Sequence, residues 1–151
     1  MTLVCKYLHT NLTVKNIERM QSFYVEIFGC EPLREIDHLT GKWIEDITSV
    51  KHGEIKYAHL RFPGHGTDGP ELELIQYLNP TKEFDITPDT YGFGHLSFGV
   101  DDVHKALDAI VAAGGGSVGK VVTVDVPKRG RLTEVYATDP EGNIIELQSY
   151  D

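Results

Sequence analysis

The chain has 151 residues, with 14 Lys+Arg against 23 Asp+Glu and a formal net charge of −9; that length fits one domain or two small modules, and a phosphate backbone would meet a repulsive field. Apolar residues make up 40% and charged residues 25%, ordinary globular usage that allows a sizeable core and excludes disorder. No apolar run approaches the ~20 residues needed to cross a bilayer, and the opening Met1-Thr2-Leu3-Val4-Cys5-Lys6 lacks the charged and apolar regions of a secretory signal, so neither nucleic acid nor membrane is an expected partner and a cytoplasmic location is expected.

In chain order, residues 6–14 alternate as a strand, and Asn16 is placed to cap a helix over 17–28 that stops at Gly29. Residues 32–37 read as the next strand. Trp43, Ile44 and Ile47 then stand at helical spacing within 41–50, which predicts a short extra helix. Strands are expected over 54–62 and 71–78. A connection with Pro80 and Pro88 follows, over about 80–92. The second half repeats the plan: a strand over 95–100, Asp101 or Asp102 capping a helix through Ala113, a Gly114-Gly115-Gly116 stop, and strands near 117–124, 132–138 and 143–149. Each half is βαβββ. The expected fold class is α+β, as two tandem modules over about 5–79 and 93–150. Cys5 and Cys30 are too few for a disulfide framework, form no C-x-x-C pair, and read as buried small apolar residues.

The two halves are an internal repeat. When His9 is set on His95, Leu12 meets Phe98, Val14 meets Val100, Ile17 meets Val103 and Gly29 meets Gly115, all without a gap. Later, Gly69-Pro70-Glu71-Leu72-Glu73-Leu74 runs parallel to Gly142-Asn143-Ile144-Ile145-Glu146-Leu147. Each half therefore opens with His and closes with Glu.

Side chains alternate across a strand, so parity assigns faces. His9 shares its face with Tyr7, Asn11 and Thr13, opposite Leu8, Leu12 and Val14; His95 goes with Ser97 and Gly99, opposite Leu96, Phe98 and Val100. Glu73 lies between Leu72 and Leu74, and Glu146 between Ile145 and Leu147. Both carboxylates thus face away from the helix-covered side, with the two histidines. A carboxylate interrupting an apolar strand is costly to bury unless paired, protonated or bound to metal. A lone strand His or Glu is more often a satisfied or solvated residue; it is the same residue types recurring at repeat-equivalent positions that points to metal. Four N and O donors at His9, Glu73, His95 and Glu146 suit one divalent ion such as Zn, Ni, Co, Mn or Fe, and leave two octahedral positions for a substrate. His38, His52, His59, His65 and His104 have no repeat partner of their own type and read as surface residues.

Gly92-Phe93-Gly94-His95 precedes a strand instead of a helix, so a dinucleotide loop is excluded. Asp139-Pro140-Glu141-Gly142-Asn143 is turn chemistry between strands. In the basic run Lys128-Arg129-Gly130-Arg131, the first two residues read as a solvated loop. Arg131 is the candidate to hold a substrate carboxylate or phosphate, with Asn11 a second substrate-facing candidate.

His9-Thr10-Asn11-Leu12-Thr13-Val14, Phe23-Tyr24 followed by Phe28-Gly29, Tyr91-Gly92-Phe93-Gly94-His95 and the segment from Asp139 to Leu147 together resemble the vicinal oxygen chelate superfamily of glyoxalase I, extradiol dioxygenases, methylmalonyl-CoA epimerase and bleomycin-resistance proteins. The resemblance covers nearly the whole chain. It implies paired modules cupped around one divalent metal, with the ligand positions on His9, Glu73, His95 and Glu146. The full four-residue set is most similar to glyoxalase I, while Met20, Leu96-Ser97 and the extra segment at 41–50 depart from that enzyme and bear on the substrate. The implied activity is a metal-dependent lyase or isomerase. Its ion would bind two vicinal oxygens of a small molecule and acidify the adjacent C–H, and Glu73 or Glu146 would move the proton. The alternatives are an extradiol-type dioxygenase or a binding protein without chemistry; a fourth ligand crowds the first, and retention of all four argues against the second. A homodimer is expected, because the edges of cupped sheets must be paired or covered.

Overall fold

The computed structural model describes residues 4–80, 82–83 and 85–151; the first three residues of the opening segment and positions 81 and 84 of the expected connection lie outside them. The chain forms two compact units, residues 1–82 and 83–151.

In the first unit, β1 (His9–Thr13) leads to α1 (Ile17–Phe28), β2 (Glu31–Pro32), β3 (Asp37–Leu39), α2 (Lys42–Thr48), β4 (Ile55–Arg61) and β5 (Glu71–Tyr77). Sheet order is β1-β5-β4-β2, with β3 also on β4. β1 and β5 are parallel; the other pairs are antiparallel. The Asn16 side chain accepts from the Arg19 amide at 2.9 Å, and Gly29, at φ 67°, closes α1 in the left-handed region that glycine tolerates. The stripe Ile17, Met20, Phe23 and Tyr24 is buried, and α1 packs on β4 and β5, whose inward residues Ala58, Leu60, Leu72 and Leu74 are 0% exposed. Each such leucine contributes roughly 1.5–3 kcal/mol by leaving water. That burial fixes the register and turns Glu73 to the opposite face.

The second unit repeats this with β6 (Leu96–Gly99), α3 (Val103–Ala112), β7 (Gly116–Ser117), β8 (Val122–Val126), β9 (Gly130–Thr138) and β10 (Ile144–Tyr150). Its order is β6-β10-β9-β7, with β8 also on β9. Asp102 is the residue that caps α3, accepting from the Lys105 amide at 3.0 Å. Val103 and Ile110 face inward, and α3 packs on β9 and β10, where Val135, Ala137, Ile145 and Leu147 are buried. The turn from β9 to β10 is organised by Asp139. Its buried carboxylate accepts from the Glu141 amide at 2.9 Å, the Asn143 amide at 3.0 Å and the Asn143 side chain at 2.8 Å, while Gly142 supplies φ 90°.

The result is an α+β fold of two repeated modules, each a five-stranded mixed sheet with helix on one face. Among the described residues no helix is long and apolar enough to cross a membrane.

Four expectations need correction. The second strand position of each module is split, into 31–32 and 37–39 and into 116–117 and 122–126, because among the described residues it pairs on one side only, with β4 or β9. The first strand starts at His9 instead of residue 6: Tyr7 and Leu8 are both more than half exposed, so no apolar face enforces alternation there. His95 stands just before β6. Cys30 is buried, and desolvation pushes its thiol up to about 11, but Cys5 is exposed, since it precedes the first strand.

Candidate functional site

Each unit carries a His–Glu pair on the sheet face away from its helix. In the first unit Asn11 on β1 is in register with Glu73 on β5; in the second, Ser97 on β6 is in register with Glu146 on β10. The repeat therefore extends to backbone pairing. His9 Nε2 stands 3.5 Å from Glu73 Oε2, and His95 Nε2 stands 3.6 Å from Glu146 Oε2. These are long for hydrogen bonds. Two donors held ~2.1 Å from one ion stand about 3.0–3.4 Å apart, and each His–Glu pair is slightly wider than that spacing. Among the described residues no group of three or more His, Cys, Asp or Glu is arranged to hold a metal ion; each unit presents one His–Glu pair on this face.

The carboxylates are held differently. Glu73 is contacted on both oxygens: Asn11 Nδ2 donates to Oε2 at 3.3 Å, and His59 Nε2 lies 3.3 Å from Oε1. Glu146 is held on one: Ser97 Oγ donates to Oε2 at 2.6 Å and Gln148 Nε2 donates to it at 2.9 Å. Gln148 also donates to Ser97 Oγ at 2.8 Å. Among the described residues no hydrogen-bond donor meets Glu146 Oε1.

The sequence reading of His59 as a surface residue is overturned. Its side chain is only 11% exposed, it faces Glu73 in register across β4 and β5, and its Nδ1 lies 2.8 Å from Glu71 Oε2. Its ring meets His9 edge-on at 5.4 Å between centroids. His59 has no repeat partner of its own type, because the position opposite Glu146 is Tyr136, whose ring lies 5.0 Å from His95. Parity along β4 would have found it: Ala58 and Leu60 are buried, so Tyr57, His59 and Arg61 share the face of Glu71 and Glu73.

His38 and His52 are surface residues paired with Glu54 and Glu45, and His104 is exposed. Asn11 turns its amide on Glu73. Arg131 is not gathered with Glu146: it pairs with Asp125 and exchanges backbone hydrogen bonds with Asp151, five positions along β9 from Tyr136, about 17 Å at ~3.4 Å per residue.

Comparison with known proteins places the whole chain in one family. A protein named probable lactoylglutathione lyase from Vibrio parahaemolyticus is 32% identical over 145 residues, covering 94% of this chain and 88% of its own. Another of that name from Synechocystis is 30% identical over 143 residues, covering 93% and 92%. A solved glyoxalase family protein from Bacillus cereus superposes with a TM-score of 0.80 at 20% identity over 99% of this chain and 96% of its own, a likeness of fold. The family model described as Glyoxalase/Bleomycin resistance protein/Dioxygenase superfamily matches residues 6–147. With its repeated modules, its paired His and Glu positions and that match along nearly its whole length, the chain belongs to the glyoxalase/bleomycin resistance protein/dioxygenase superfamily.

Proposed function

We propose that this protein is a metal-dependent lyase or isomerase of the lactoylglutathione lyase kind, in which His9, Glu73, His95 and Glu146 are ligands of a divalent ion and a glutamate moves a proton. The observation that carries the reading is the twofold recurrence of an imidazole nitrogen 3.5 and 3.6 Å from a strand carboxylate at equivalent positions. When bound, the ion supplies Lewis-acid polarisation of two adjacent substrate oxygens, which acidifies the neighbouring C–H. Glu146 is the better base of the two glutamates: Ser97 and Gln148 fix its Oε2 and leave Oε1 to take and return the proton. Glu73, held on both oxygens, serves as a ligand. N and O donors without a soft thiolate accept several first-row ions.

The test is elemental analysis of protein purified without added metal, then an assay of lactoylglutathione formation with and without chelator and O2. Activity lost on chelation, restored by more than one metal and indifferent to O2 is the expected result. Turnover that survives metal removal or requires O2 overturns the reading, as does tight metal binding in a variant carrying both His9→Ala and His95→Ala. The homodimer is checked separately by sedimentation at micromolar concentration, where a monomer refutes it.

A further inference from the structure

Behind the proposed ligand Glu73 lies a linked titratable cluster, Glu71–His59–Glu73. A half-buried imidazole between two carboxylates is expensive to maintain, because an apolar trio of similar volume is often as stable or more so. Here it is also well built. His59 Nδ1 meets Glu71 at 2.8 Å and Nε2 meets Glu73 at 3.3 Å, while the rings of Tyr57 and His9 stand edge-on at 5.8 and 5.4 Å. The other unit lacks both parts of this chain: Tyr136 replaces His59 opposite the glutamate, and Ile144 stands at the position of Glu71. Imidazole and outer carboxylate are present together in one half and absent together in the other, so the two act as one device.

We propose that His59, anchored by Glu71, is a positioning residue that fixes the Glu73 carboxylate as a ligand. The proposal rests on the metal reading for what Glu73 is positioned to do. Nδ1 ties the ring to Glu71, and Nε2 restrains Oε1, so that Oε2 stays toward His9. Partners that orient a ligand in this way commonly change metal affinity by about 10–100-fold.

The experiment compares wild type with His59→Leu, which keeps an apolar side chain of useful volume and removes both nitrogens, His59→Gln, which restores one amide donor, and Glu71→Gln, which weakens the anchor. Affinity is read by competition between the protein and a chelator for Co(II), fold integrity by thermal unfolding, and the Glu73 rotamer by crystal structures of the metal-free proteins. His59→Leu should lose about 10–100-fold in affinity with Glu73 turned from its present rotamer; His59→Gln should recover much of the loss, and Glu71→Gln should lie between wild type and His59→Leu. Unchanged affinity in a folded His59→Leu protein overturns the proposal, as does an unmoved Glu73. If His59→Leu fails to fold, Glu71→Gln decides by the same two readings. If wild type takes up no metal, the metal reading fails, and the Glu73 rotamer in the metal-free variants still decides whether His59 holds that carboxylate.

Discussion

The two units use one plan to hold one glutamate each, yet they hold it by different chemistry. In the first, an amide and an imidazole contact opposite oxygens of Glu73; in the second, a hydroxyl and an amide converge on a single oxygen of Glu146. Side chains drawn from the neighbouring strand and from β10 itself suffice for Glu146, whereas Glu73 also draws on β4. Duplicated backbone thus fixes where a carboxylate stands, and the neighbours decide whether it is clamped or left with a free oxygen. On the proposed reading, that difference is what makes Glu146 a base as well as a ligand.

The largest expected effect tests this division. Glu→Gln keeps an oxygen ligand and removes the proton acceptor. Glu146→Gln should therefore retain metal while turnover falls by roughly 10²-fold or more, and Glu73→Gln should cost much less turnover at saturating metal. Steady-state kinetics on metal-replete variants checks both, and equal losses at the two positions would break the assignment of roles.

A second contrast lies in two glycines that follow a helix, Gly29 as the C-cap of α1 and Gly115 two residues past the Ala113 C-cap of α3. Gly29 has positive φ and open space around its missing Cβ, whereas Gly115 lacks the positive φ but a Cβ there would stand 2.2 Å from the Thr138 carbonyl oxygen and 2.7 Å from Ile110 Cγ2. One position needs a conformation, the other an absence of volume. Gly29→Ala should cost about 1 kcal/mol for the left-handed backbone, and Gly115→Ala at least 1–3 kcal/mol, on the scale of ~1–3 kcal/mol for overpacking. Denaturant midpoints read both, and equal costs would show that strand and helix separate freely in the second unit.

The smallest effect concerns the caps. Asn16 is neutral, whereas the Asp102 carboxylate is held below its ordinary 3.8, first by the hydrogen bond from the Lys105 amide and then by the Lys105 side chain. A depressed carboxylate stabilises the folded state above its unfolded pKa, and the contribution is lost as pH falls through the lower folded value. The Lys105 amide resonance should shift in that acid range in wild type and stay still in Asp102→Asn. The same shift in both proteins would mean that the cap is not its source.

Much of this was legible before any coordinates, because the repeat constrains two segments at once. A gapless match of His9 with His95, joined to apolar neighbours around Glu73 and Glu146, selects a face as well as four residues. Where the halves diverge, the repeat is silent. His59 faces a tyrosine in the corresponding place, and only cross-strand register, a long-range property, brings it to Glu73. Nor does nearness to a strand in sequence say which end of it a residue occupies: Arg131 lies at the far end of β9 from Tyr136. The split outer strands escaped notice because pairing on one side alone leaves little periodicity to read.

The Asp139 turn bears on where such a module can grow. A residue inserted within β10 before Glu146 would exchange that carboxylate with Ile145 or Leu147, placing a charge against α3 and a hydrocarbon at the site. The turn itself can lengthen: residues 62–70 join β4 to β5 where residues 139–143 join β9 to β10, and each glutamate keeps its face. The corner before β9 varies too. Residues 127–129 suffice there in the second unit, and the equivalent corner of the first has absorbed the whole of α2 between β3 and β4. Loop grafts and fused segments therefore belong in the hairpin connections, and β10 itself must keep its register.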